Sequence, residues 1–168
     1  MAGTPTGAPH SALGPSIDDL DLVDYAKTSA KTLLAAHSTV VFTSGRRTVV
    51  TQANAMAGNV ARNRQWIKQT YKATAESRSL QAWVDDHPDA KTAPAISSGL
   101  QGIMKNWTDV QKKNLSRHFS GQAFDVHPVA GAAGEKIKAT IRSLPNLRTF
   151  LDHEGGLIIW HADFEKTT

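Results

Sequence analysis

Cysteine is missing from this chain of 168 residues. Its absence excludes disulfides, thiolate metal sites and a cysteine nucleophile together. Any metal must therefore be held by histidine and carboxylate, and any covalent nucleophile must be Ser, Thr or Lys. Long apolar runs are missing too, and no stretch approaches the ~20 apolar residues of a membrane-spanning helix. The first residues lack both the basic start and the apolar block of a secretory signal. Residues 1–15, rich in Gly, Pro, Thr and Ala, read as a flexible leader or linker ahead of one domain at 16–168.

What the chain does have is a hydrophobic fraction of 40%, enough to bury a continuous core. Nineteen Lys and Arg stand against 15 acidic residues, a net charge of +4. That balance favours polyanionic partners: nucleic acid, anionic lipid or the acidic polymers of a cell envelope. No nucleic-acid reader motif accompanies Arg46-Arg47 or Lys112-Lys113, so no specific nucleic acid is expected.

Apolar periodicity predicts a helix over about 16–36, opened by Ser16 and the acids Asp18 and Asp19. A short strand follows at Thr39 to Thr43, then a helix over about 48–73 and another from Ser79 to Asp86. Pro88 and Pro94 make His87 to Ala95 a loop, and one or two short helices fit Ser97 to Asn114. A strand at Gln122 to Val126 and a helix from about Ala133 to Leu144 come next. Two strands, Leu147 to Asp152 and Leu157 to Phe164, end the chain with Gly155-Gly156 as a hairpin signal between them. Helices early and hairpin-linked strands late predict an α+β domain, a small antiparallel sheet flanked by several helices.

Chemistry concentrates in Ser116-Arg117-His118-Phe119-Ser120-Gly121-Gln122-Ala123-Phe124-Asp125. A catalytic zinc site takes three protein ligands and leaves one position open. His118 and Asp125 can supply two if Gly121 turns the chain into a strand. On that strand the small Ala123 would share the face of Asp125 and leave room for an ion or substrate. His161 is the candidate third, since strand alternation places it with Ile159 and Asp163, opposite Ile158, Trp160 and Ala162. Each residue also has a plainer reading. His118 alone suits an exposed loop, Asp125 a strand end, and His161 a buried, hydrogen-bonded histidine.

The pattern Ser-x-His-x-x-Gly-x-Ala-x-Asp followed by Trp-His resembles the zinc D-alanyl-D-alanine carboxypeptidase family. That family belongs to a wider group with lysostaphin-type peptidases and the hedgehog signalling domain. Ser116, His118, Gly121, Ala123 and Asp125 fill the first part, and Trp160 and His161 the second. Upstream, Ser44-Gly45-Arg46-Arg47-Thr48 with Gln52 is similar to the family's Ser-Gly-Tyr-Arg-Thr segment and its following glutamine, with Arg46 in place of tyrosine. The resemblance implies Zn2+ on His118, Asp125 and His161, and substrate contacts from Arg47, Gln52, Ser116 and Trp160. It implies a D-Ala-D-Ala peptidase-like fold and hydrolysis of peptidoglycan stem peptides or crosslinks, as a carboxypeptidase or an endopeptidase. Without a signal peptide, such an enzyme would reach the wall as an antibacterial effector, with a secretion partner and a cognate immunity protein, or as a phage lysis enzyme.

One family position is not filled. Many members carry an acidic general base three residues before the last zinc histidine, and here that residue is Ile158. Glu154 is the substitute expected, with His153 second and Asp163 third. A straight strand would separate Glu154 from His161 by roughly 23 Å, so the chain must fold back between them. The missing acid also keeps a rival reading in view, a zinc-bearing binding module of the same fold without catalysis.

Overall fold

The segment expected as one helix over 16–36 forms two pieces in the computed structural model, which describes residues 14–167. The predicted leader falls outside the described residues except for Gly14 and Pro15. A 3₁₀ turn, Asp18–Leu20, stops at Asp21, whose φ of 49° is left-handed and cannot continue a right-handed helix. The break is held by Arg46, whose backbone N–H donates to Leu20 O at 2.8 Å. Helix α1 (Asp24–Ala36) then begins after extended Val23.

Strand β1 (Phe42–Ser44) leads into α2 (Val49–Arg62), which opens with a reciprocal capping box between Thr48 and Thr51. The helix expected to reach residue 73 ends instead at Arg62. The Asn63 side chain accepts from Gln65 N at 3.1 Å and donates to Gln69 Oε1 at 2.7 Å. Asparagine thus offers the backbone an alternative to the helical ladder. Helix α3 (Trp66–Thr70) follows as a separate piece. A second capping box, Thr74 with Ser77, starts α4 (Ala75–Asp86) ahead of the expected Ser79. Helix α5 (Ala93–Met104) begins inside the expected loop, because Thr92 caps it and Pro94 is tolerated in its first turn. Helix α6 (Asp109–Leu115), a 3₁₀ turn at Arg117–Ser120, β2 (Ala123–Val126), α7 (Gly131–Arg142), β3 (Leu147–Leu151) and β4 (Trp160–Phe164) complete the order.

The fold is α+β. Among the described residues four strands form one antiparallel sheet in the order β1-β2-β4-β3. One face packs on α1 and α7: Phe42, Phe124, Trp160 and Phe164 bury against Ala30, Leu33, Ile137 and Ile141. A second core joins α2 to α5 through Met56, Val60, Ile67, Leu80, Val84, Ile96 and Leu100.

Two irregularities decide which residues face away from the sheet core. The register slips between Phe42 and Ser44, so Phe42 pairs with core-facing Val126 while Ser44 pairs with Asp125. Such a bulge moves Ser44 to the face opposite Phe42. The strand expected from Leu157 starts only at Trp160, and Ile158 is 63% exposed. Between β3 and β4 the chain makes its own tight turn at Gly155 and Gly156, with φ of 54° and 82°. Glu154 and Leu157 close this turn by two reciprocal backbone hydrogen bonds of 2.9 Å.

Candidate metal centre

The sheet face turned away from α1 and α7 collects residues far apart in the chain. Ser44 pairs with Asp125, Asp125 with His161, and His161 with Leu151, a lateral row across all four strands. Directly opposed residues of an antiparallel pair hold their Cβ atoms about 5 Å apart, so the pairing brings Asp125 and His161 together. His118 arrives from the 3₁₀ turn, where Ser116 Oγ accepts from its backbone N–H at 3.3 Å. Gly121 then reverses the chain with φ of 71°. A methyl group there would lie 2.7 Å from Arg46 Nη2 and 2.8 Å from Asp21 O, so glycine is required by space as well as by conformation.

Three atoms converge. His118 Nε2 is 3.2 Å from Asp125 Oδ1 and 3.2 Å from His161 Nδ1, and His161 Nδ1 is 3.0 Å from Asp125 Oδ1. Their outer hydrogen bonds set the tautomers. His118 Nδ1 is 2.7 Å from Gly45 O, a pure acceptor, so Nδ1 carries the proton and Nε2 keeps a lone pair. His161 Nε2 donates to Asp163 Oδ2 at 3.3 Å, which leaves Nδ1 pointing inward, a metal ligand once its own proton is given up. Ligands about 2.0–2.1 Å from a tetrahedral ion stand about 3.3 Å from one another. The observed spacing fits, and His118, Asp125 and His161 can hold a metal ion.

The electrostatics agree with a site built for a cation. Burial would raise the Asp125 pKa, but its interactions with the His118 and His161 rings outweigh it and hold the carboxyl well below its ordinary value. Burial lowers the pKa of His118 and keeps it neutral. Burial also works against a charge on His161, yet hydrogen bonds to Asp125 and Asp163 push its pKa up to about 10. In the metal-free chain, a proton on His161 supplies the positive charge that the converging acceptors need.

The surrounding residues hold this arrangement. Asp125 Oδ2 accepts from Arg47 Nη2 at 2.8 Å and Ser44 Oγ at 2.5 Å. Arg47 Nη1 donates to Gln52 Oε1 at 3.2 Å, and Gln52 Nε2 donates to the Tyr71 hydroxyl at 3.0 Å. Asp163, the third candidate for the base, is buried and accepts from Arg148 Nη1 at 3.1 Å. Its role was visible only as strand alternation two places beyond His161. Neither the bulge that aims Ser44 at Asp125 nor the reach of Tyr71 left a signal in the pattern of residues.

A cavity of about 660 Å³ opens over the three converging atoms. Arg47, Ser116 and Glu154 line it with His118, Asp125 and His161, as do Trp66, Thr70 and Tyr71 of the helical half. The chain does fold back at Gly155-Gly156, and the turn brings Glu154 to the same cavity as His161. Burial raises the Glu154 pKa. Other expected residues fall elsewhere. Trp160 is 4% exposed and packs in the core behind the sheet, because alternation turns it away from His161. His153 projects into solvent, its side chain 62% exposed, and pairs with Asp152. Gln52 is fully buried behind Arg47 rather than open to the cavity. Ala123 is fully buried opposite Asp163. No family model, curated protein or solved structure matches this chain.

Proposed function

We propose that this chain is a zinc-dependent peptidase that hydrolyses peptide bonds of bacterial peptidoglycan. The observation that carries the reading is the convergence of His118 Nε2, Asp125 Oδ1 and His161 Nδ1 in a cavity that Glu154 also lines. Two imidazoles and one carboxylate, with no thiolate, form a donor set typical of catalytic zinc sites with a position left for water or substrate. Zinc held there would supply Lewis acidity toward a carbonyl oxygen and make water a stronger acid. The resemblance of the ligand motif to D-alanyl-D-alanine carboxypeptidases supports the wall-peptide substrate, and a cavity of this size suits a few residues of a stem peptide.

The chain's own residues do the rest. Glu154, with its pKa raised by burial, is moved toward the range where a base both accepts and returns a proton. It takes the proton of the attacking water and delivers it to the leaving amine. Arg47 has a double duty. Three of its five N–H groups hold Gln52, Ser44 and Asp125; no described residue takes the remaining two, which would meet a substrate carbonyl or carboxylate. Asp163 keeps the His161 ring oriented through Nε2, and Gly45 O does the same for His118.

Digestion of purified peptidoglycan with the zinc-loaded protein, followed by mass spectrometry, tests the reading. The expected result is release of stem-peptide fragments or D-alanine. Glu154→Gln should retain zinc and lose about 10²- to 10⁴-fold in turnover. Zinc and wall binding without any released product would instead identify a non-catalytic binding module. Undiminished release by Glu154→Gln would remove the proposed base.

A further inference from the structure

We infer that Gly155 is a positioning residue: its backbone sits in a notch formed by Trp66 and Thr70, and this seat sets where Glu154 points. The inference rests on the peptidase reading, in which Glu154 is the base.

No side chain among the described residues hydrogen-bonds the Glu154 carboxylate; the groups that act on it do so through charge and burial. Its place is therefore set by the backbone beneath it. That backbone is the tight turn from Glu154 to Leu157, closed by its two reciprocal 2.9 Å bonds. The turn meets the helical half at two points. Leu157 packs on the helical core. Gly155 packs on α3, so closely that a methyl group would stand 2.6 Å from Trp66 Cδ1 and 2.7 Å from Trp66 Nε1, and nearer still to Thr70 Oγ1.

The notch grips by shape alone. Trp66 Nε1 and Thr70 Oγ1 are both buried without a hydrogen-bond partner among the described residues. Leaving two such groups unpaired is costly, and neither pairs with the turn that covers them. Close approach of a backbone is a recognised use of glycine. Here a side chain would push the turn off α3, and Glu154, one residue away and locked to Leu157, would move with it.

The neighbouring glycine provides an internal control. Gly156 has φ of 82°, so alanine is conformationally strained there as at Gly155. Yet no atom of the described residues beyond its chain neighbours lies within 4 Å of a methyl group at Gly156. A merely conformational role for the pair would make Gly155→Ala and Gly156→Ala lose equally. A seat makes only Gly155→Ala fail in catalysis.

The experiment compares kcat, KM and zinc content of both variants with the wild type on a peptidoglycan fragment. Gly155→Ala should lose at least about tenfold in kcat, with KM within about twofold and one zinc per chain retained. Gly156→Ala should stay within about threefold of wild type in kcat. Adding Thr70→Ala to Gly155→Ala relieves the closest contact and should recover part of the lost kcat; this double variant is also the comparison if Gly155→Ala does not fold. Equal kcat losses at the two glycines, loss of zinc together with turnover, or no recovery in the double variant would each overturn the inference. A wild type that hydrolyses nothing defeats the peptidase reading and this inference with it. An active wild type with equal losses defeats the seat alone.

Discussion

Asp125 has both carboxylate oxygens committed, Oδ1 toward the two histidines and Oδ2 to Arg47 and Ser44. Arg47 therefore acts directly on one of the three converging side chains. Residues that orient a metal ligand typically change affinity 10–100-fold when removed. Arg47→Ala should weaken zinc binding by about that factor, read by competition with a calibrated chelator, while the far-ultraviolet dichroism stays unchanged. The ionisation pattern makes a second prediction. In the metal-free chain Asp125 is ionised, His118 is neutral and His161 holds its proton up to about pH 10. A metal entering the site displaces that one proton, so affinity should rise about tenfold per pH unit from about 7 to about 9 and level off above about 10. The same shift acts on the chelated protein. The His161 pKa is raised from its ordinary 6.5, so its charged pairs stabilise the fold fully below that value and are lost as pH rises through about 10. Urea unfolding in chelator should show a lower midpoint at pH 10.5 than at pH 7, by this linkage. At this scale the three converging side chains were legible in the amino-acid order: His118 and Asp125 flank Gly121 at fixed offsets, and His161 follows Trp160 in a strand. Asp163 and Ser44 were not, since a lone aspartate or serine in a strand has many ordinary uses.

Elements decide which side chains meet. The bulge in β1 puts Phe42 in the core and Ser44 beside Asp125, and nothing in Phe42-Thr43-Ser44 announces it. The turn between β3 and β4 was legible as Gly155-Gly156, and so was the need for a fold-back to bring Glu154 toward His161. Its consequence for β4, which starts at Trp160 and leaves Ile158 outside the sheet, was not. Helix boundaries moved for identifiable reasons: Asp21 turned left-handed, Asn63 drew the backbone out of α2, and capping threonines started α4 and α5 early. Capping also bears on the site, because Thr48 follows Arg47 directly and ties the start of α2 through its box with Thr51. Thr48→Ala should cost about 1 kcal/mol in denaturant unfolding. It should also loosen Arg47, so that zinc affinity falls by less than in Arg47→Ala but measurably.

At the scale of the whole molecule, the described residues form two cores with a cavity between them. The sheet core, with α1 and α7, fixes Asp125 and His161 to a rigid surface, and the helical core supplies the opposite wall through Trp66, Thr70 and Tyr71. The α+β class and the small antiparallel sheet followed from the order of helical and strand periodicities. The meeting of the two halves around one cavity did not, because packing between separate cores depends on shapes that periodicity does not encode. The central claim is that three side chains from distant parts of the chain share one zinc ion. The measurement that tests it most directly is an anomalous difference map, recorded at the zinc absorption edge from crystals grown with equimolar zinc. One peak should lie about 2.0–2.2 Å from each of His118 Nε2, Asp125 Oδ1 and His161 Nδ1. No peak between these atoms, or zinc bound only elsewhere on the surface, would contradict it.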